Sequence, residues 1–205
     1  MDRTLGAIPS NPHDVRGQRG FEELLADRRG LLDAPRYPGQ VAAIVAAMVQ
    51  AFRSGGKVLW FGNGGSAADA QHLAAEFSGR FLRERRGLHS ESLSVNTSAL
   101  TAISNDFGFD HVFERQMESF AQPGDVVVGI TTSGSSRNIV LALTEAKRRG
   151  AVAVAFTGNG GGKAAEIADL SLVGPDGYSA IIQEVHITLG HIICDLVEQA
   201  LIFQS

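Results

Sequence analysis

Five short apolar runs, each followed by a polar turn and a helical pattern, constrain this chain more than any other feature. The runs are KVLWFG, SESLSVN, DVVVGIT, AVAVAFTG and LSLVG. The helical segments that follow them are SAADAQHLAAEFSGRF, SALTAIS, RNIVLALTEAKRRG, KAAEIAD and YSAIIQEVHITLGHIICDLVEQALI. Strands that are apolar throughout and alternate with helices need a parallel sheet covered on both faces. The expected fold is therefore α/β, a three-layer α/β/α sandwich with a roughly five-stranded parallel sheet. Ahead of it, GQVAAIVAAMVQAFRSGG sets Val41, Ile44, Val45, Met48 and Phe52 on one helical face and stops at Gly55. GFEELLADRRGLLDA has helical spacing in Phe21, Leu24 and Leu25 before Pro35 and Pro38 break the chain. Residues 1–18, with Pro9 and Pro12, read as an extended or disordered flexible tail. Residues 19–205 read as a single domain with an N-terminal helical extension that packs outside the sheet or against a partner subunit.

A chain of 205 residues suits one well-built core. Its formal net charge of −4 argues against a nucleic-acid partner held by phosphate neutralisation. The lone cysteine, Cys194, lies in an apolar stretch and reads as an inert thiol in a reducing compartment. The N-terminal segment MDRTLGAIPSNPHDVRG has no apolar signal region, and no run of about 18 apolar residues is found. A soluble, cytoplasmic protein without a membrane partner is expected.

Sheets of this type bind ligands beyond the carboxyl ends of their strands, where turns meet helix N-termini. Three polar turns qualify: Asn63–Ser66, Thr132–Ser136 and Gly158–Gly162. Gly62, Gly64 and Ala67 match the spacing of a dinucleotide-binding turn, but Asn96 stands at the end of the second strand where an acid should hold a ribose. No Lys follows the glycines, so the P-loop reading fails as well. The bland account of this turn is that Ser66 caps a helix, with Asp69 completing a capping box. A phosphate is the expected ligand.

Further along the same helix, His72 and Glu76 stand four residues apart on one face, flanked by the apolar Leu73 and Phe77. They read either as a structural hydrogen bond or as chemistry. The closing helix sets Gln183, His186, Gly190 and His191 within roughly 140° of arc. Polar groups inside so apolar a helix cost free energy unless they find partners. Asp195, one turn past His191, could orient its ring or join a surface stripe with Glu198. Two His, one Glu and one amide also suit a divalent metal. RFLRERRGL reads as a solvated basic loop, and EAKRRG as a helix C-terminus stopped by Gly150.

GNGGSAADAQHLAAEFSGRF, LTAISNDFGFDHVFERQ, TTSGSSRNIV, TGNGGG and IQEVHITLGHIICDLVE together resemble the phosphoheptose isomerases, which are sugar-isomerase (SIS) domain proteins. The similarity spans roughly residues 40–200, in order. It implies a flavodoxin-like SIS domain and an aldose–ketose isomerisation of sedoheptulose 7-phosphate through an enediol. It also implies a homotetramer with active sites between subunits, and a zinc ion (Zn2+) in each. Carried over by motif, the metal ligands are His72, Glu76, Gln183 and His191, with Glu76 and His191 as the acid–base pair. Asn63, Gly64, Gly65 and Ser66 line the sugar or phosphate, Thr131, Thr132, Ser133 and Ser136 hold the phosphate, and Glu76 and Gln183 also meet substrate. Asn105 and Asp106 touch the sugar. A related SIS protein is a non-catalytic regulator that binds the replication initiator; it lacks the helix glutamate and second closing-helix histidine that stand here as Glu76 and His191. The chain departs from the family at Ser135, where Asn is common, and at Ala180 and Ile181, where a polar pair often precedes IQE.

Overall fold

The computed structural model describes residues 8–11 and 14–203. The chain divides into two compact units at Pro35/Arg36. In the first, β1 (Ile8–Asn11) and β2 (Asp14–Arg19) pair antiparallel, and α1 (Phe21–Ala26) follows. The described part of the expected tail is thus paired strand; the remainder lies outside the described residues. The helix expected over GFEELLADRRGLLDA stops after six residues and buries none of its side chains. The second compact unit begins at Arg36.

The second unit opens with α2 (Tyr37–Arg53), where Pro38 sits in the first turn, a position that needs no N–H donor. It continues with β3 (Val58–Gly62), α3 (Gly65–Ser78), β4 (Ser90–Ser92), α4 (Thr97–Phe107) and a short 3-10 turn at Phe109–His111. Then come α5 (Glu114–Phe120), β5 (Val126–Thr131), α6 (Arg137–Arg148), β6 (Val152–Thr157), α7 (Gly162–Ile167), β7 (Leu170–Val173) and α8 (Ser179–Phe203). The five strands β4-β3-β5-β6-β7 form one parallel sheet in that order. β5 lies on the opposite side of β3 from β4, so the chain reverses direction across the sheet between β3 and β5. Ligands of open α/β sheets bind at such a switch point.

Alternation along β3 sends Leu59 and Phe61 to one face and Val58 and Trp60 to the other. Leu59 and Phe61 pack with Phe113, just before α5, and with Met117, Ile139 and Leu143 from α5 and α6. On the opposite face Trp60 meets Phe77 of α3 and Phe156 of β6 at about 6 Å between ring centres. α8 is long and apolar enough to cross a membrane by length and composition, but half of that stretch is buried inside the protein. Its contacts with α2 and α3, and the polar side chains along it, are those of a core helix. One contact is very close: a Cβ on Gly190 of α8 would stand 2.7 Å from the end of the Leu73 side chain of α3, so any larger residue there would push Leu73 aside. Cys194, buried on α8, has its thiol pushed well above the usual range by burial, as expected of an inert core cysteine.

Candidate active site

The carboxyl ends of β3 and β5 open onto a cavity of about 150 Å³ lined by Asn63, Ser66, Ile130, Thr131, Thr132, Ser136, Ser179 and Gln183. Gly64, with φ of 56°, is the N-cap of α3 and carries no side-chain capping bond, so the helix starts two residues earlier than a Ser66 cap requires. The capping-box reading therefore fails. Ser66 is buried inside the first turn and its Oγ accepts from Gln183 Nε2 of α8 at 3.4 Å. Gly65 leaves room for the same amide: a Cβ there would lie 2.7 Å from it.

Asn63 is held by a reciprocal amide pair with Asn138, each Nδ2 donating to the other's Oδ1 at 2.9 Å. Asn138 is buried in the first turn of α6 and locks the β3 turn to the β5 turn. The β5 turn is a cluster of hydroxyls. Thr131 Oγ1 lies 3.1 Å from Ser136 Oγ and 3.4 Å from Ser133 Oγ, and Thr132 Oγ1 lies 3.0 Å from Ser179 Oγ. Ser133 also accepts from the backbone N–H and hydroxyl of Ser135, so it braces the turn without lining the cavity. These hydroxyls surround the N-terminus of α6, whose first amide groups have no intrahelical acceptor and favour an anion. The third polar turn, Gly158–Gly162, does not line this cavity; Ala164, just beyond it, donates its N–H to the Gly134 carbonyl at 2.8 Å and braces the β5 turn.

Beside the cavity, α3 and α8 bring His72, Glu76 and His191 together, with their ligand atoms all within 4.8 Å of one another. His72 Nε2 lies 3.0 Å from Glu76 Oε1 and 3.2 Å from His191 Nε2. Ligand atoms around a tetrahedral zinc with bonds of about 2.1 Å stand roughly 3.4 Å apart, so this donor set and spacing fit a divalent ion. Gln183 has its amide turned to Ser66 in the cavity wall. Three of the four expected ligands therefore converge, and the fourth faces the cavity. Burial lowers the His191 pKa, and the neighbouring His72 lowers it further against the pull of Glu76. Asp69, one turn before His72, is half-buried with no partner for its Oδ2, and burial pushes its carboxyl up to about 6 in spite of His72.

The remaining candidates lie apart. Asn105 and Asp106 are exposed near the end of α4, hydrogen-bonded to each other at 2.8 Å, and do not line the cavity. Asn96, which occupies the acid position of a dinucleotide site, caps α4 by accepting from Ala99 N at 3.0 Å. The cavity is also well below the ~300–1,000 Å³ that larger organic ligands need. Arg80–Leu88 is not a solvated basic loop: Arg85 is nearly buried and ion-paired with Glu198, and Arg83 pairs with Asp195. Asp195 is thereby committed to Arg83, and Glu198 lies in the interior instead of on a surface stripe.

Comparison with known proteins agrees with this fold. The SIS domain family matches residues 36–158, beginning where the second compact unit begins. The chain is 52% identical over 163 residues to phosphoheptose isomerase of Aquifex aeolicus, covering 80% of this chain and 85% of that protein. It is 53% identical over 179 residues to that of Pelobacter propionicus, covering 86% and 95%. The chain belongs to the phosphoheptose isomerase family of SIS-domain proteins. Among solved structures, phosphoheptose isomerase GmhA of Neisseria gonorrhoeae superimposes with a TM-score of 0.78 at 41% identity, covering 86% of this chain and 94% of that one. The Francisella tularensis phosphoheptose isomerase gives 0.81 at 32% identity, covering 87% and 97%. Two cavity-lining residues were missed from sequence, Ile130 and Ser179, as was Asn138, which holds Asn63 in place. For Ser179 and Asn138 the only available signal was a polar side chain in the first turn of a following helix.

Proposed function

We propose that this isomerase converts sedoheptulose 7-phosphate into D-glycero-D-manno-heptose 7-phosphate, with Glu76 and His191 as its acid–base pair. The observation that carries this is the meeting of Glu76, His72 and His191 on two apolar helices beside a hydroxyl-lined cavity at the sheet's switch point. The phosphate sits among Thr131, Thr132 and Ser136 at the N-terminus of α6, which needs no Lys or Arg to hold it. Anchoring the phosphate holds C1 and C2 of the sugar against the acid–base pair. Moving the carbonyl from C2 to C1 requires a proton to leave C1 and one to return to C2, through an enediol. The Glu76 carboxylate takes the carbon-bound proton, and the His191 imidazole, whose pKa burial and His72 lower, moves the proton between the two oxygens.

His72, Glu76 and His191 would hold a Zn2+ ion, with Gln183 turning to complete the set. Such an ion supplies a Lewis acid that polarises the sugar carbonyl and stabilises negative charge on its oxygen. Self-association into a homotetramer is supported by two surfaces. One is an apolar groove of about 600 Å³ between α2 and α8, lined by Val45, Val49, Leu196 and Phe203 and without an acid–base pair of its own. The other is α4, an amphipathic helix with no buried residue that ends in the exposed Phe107, with the exposed Phe109 just beyond it. In that assembly Asn105 and Asp106 would reach the sugar in a neighbouring subunit's site. Cys194 as a free thiol suits a cytoplasmic setting. Incubation with sedoheptulose 7-phosphate should yield the aldose, and metal analysis of protein purified without chelator should find zinc. Binding without turnover would instead support a non-catalytic sugar-phosphate sensor.

A further inference from the structure

The face of α8 that carries His191 does not end there. Seven residues on, and so on the same side of the helix, the Glu198 side chain is fully buried. It accepts four hydrogen bonds: from the backbone N–H groups of Phe81 at 3.2 Å, Leu82 at 2.9 Å and Arg83 at 2.8 Å, and from Arg85 Nε at 2.9 Å. Burial pushes this carboxyl up, but the three amide donors and Arg85 together hold it below the ordinary range.

The loop gripped in this way leaves α3 just past Glu76, and two of its residues reach the proposed acid–base pair. The Phe81 ring lies over the His191 imidazole, with centres 5.6 Å apart and planes 20° from parallel. Arg85 closes the last turn of α3, its Nη2 donating to the Glu76 carbonyl at 2.7 Å and its Nη1 to the Phe77 and Gly79 carbonyls at 2.9 and 3.1 Å. Carbonyls at a helix C-terminus have no partner within the helix, so these bonds define where the turn sits. A buried carboxylate–guanidinium pair adds little stability over an apolar pair of the same volume. What it can give is a single arrangement of the groups around it.

We propose that Glu198 is a positioning residue for the isomerisation: through Phe81 it fixes the plane of the His191 ring, and through Arg85 it fixes the turn that presents Glu76. This rests on the reading of Glu76 and His191 as the acid–base pair. The test measures kcat, KM and thermal midpoint with sedoheptulose 7-phosphate for Glu198→Gln, Phe81→Leu and Phe81→Tyr, with Glu76→Gln and His191→Gln as references. Glu198→Gln and Phe81→Leu should lower kcat roughly 10- to 100-fold with KM little changed, and Phe81→Tyr, which restores a flat ring, should recover most of the loss. If Glu198→Gln does not fold, Phe81→Leu decides alone, because it leaves the carboxylate and its four donors in place. A folded Phe81→Leu with wild-type kcat, while Glu76→Gln and His191→Gln are inactive, would overturn the positioning role and leave the acid–base reading standing. Loss in Phe81→Leu and Phe81→Tyr alike, in step with the thermal midpoint, would also overturn it in favour of plain stability. Normal turnover by Glu76→Gln and His191→Gln would overturn both.

Discussion

The two ends of the central sheet treat their polar groups in opposite ways. At the amino ends of β3, β5 and β6, carboxylates find their partners within the chain. Buried Asp125 accepts from the Lys57 N–H, the Lys57 ammonium and the Gln122 N–H at 2.6–3.0 Å. Asp169 accepts from Ala153 N at 2.9 Å and pairs with Lys147 at 2.8 Å. At the carboxyl ends of β3 and β5, Thr131, Ser133, Ser135 and Ser136 bond mainly to one another, Asp69 Oδ2 has no partner, and two imidazole nitrogens face each other at 3.2 Å. Saturated polar groups stabilise a fold, while groups with unused bonding capacity are ready for a ligand. The sheet is therefore anchored at one end and reactive at the other.

If that division holds, substitutions at the carboxyl end cost turnover and those at the amino end cost stability. The largest effect is expected from Glu76→Gln and His191→Gln, which should each lower kcat by about 10²–10⁴-fold with the thermal midpoint kept; a large fall in midpoint would break the comparison. Next, Asp125→Ala should cost about 3–5 kcal/mol in denaturant unfolding, because it strands the nearly buried Lys57 ammonium, while KM stays unchanged. Third comes His186, buried on α8, whose Nε2 donates to the Thr157 carbonyl at 2.8 Å and whose pKa burial lowers to about 4. The unfolded chain takes up this proton first, so stability should fall as pH drops from about 6.5 towards 4, by about 3 kcal/mol in all. Unfolding curves across that range should flatten in His186→Gln. The smallest effect is expected from Thr131→Val, which removes one hydroxyl donor from the β5 turn and should raise KM roughly fivefold at about 1 kcal/mol per lost bond.

The parallel sheet and its layering were legible because KVLWFG, DVVVGIT and AVAVAFTG are continuous apolar runs that suit a covered parallel strand. β4 was harder: only Ser90–Ser92 pairs, at the sheet's edge, and the rest of SESLSVN turns towards α4. α5 went unread because seven residues give too little periodicity to stand out. Within the site, the pairing of His72 and Glu76 followed from their spacing on one helix. Their meeting with His191 depends on how α3 packs against α8, which no local pattern encodes, and only the family resemblance supplied it. Asn138 and the grip of Glu198 on its loop were hidden for a related reason. Asn138 acts by a side-chain pair across 75 residues, and Glu198 acts mainly on backbone amides, which every sequence has.

The close approach of Gly190 and Leu73 bears on the chemistry at one remove. Each is next in sequence to a histidine of the site, Leu73 to His72 and Gly190 to His191. The volume at this one contact is therefore expected to bear on the spacing of the two imidazole nitrogens, 3.2 Å apart. A methyl group added at 190, or removed from the leucine opposite, would reset the bite available to an ion or a sugar oxygen without altering any group that meets it.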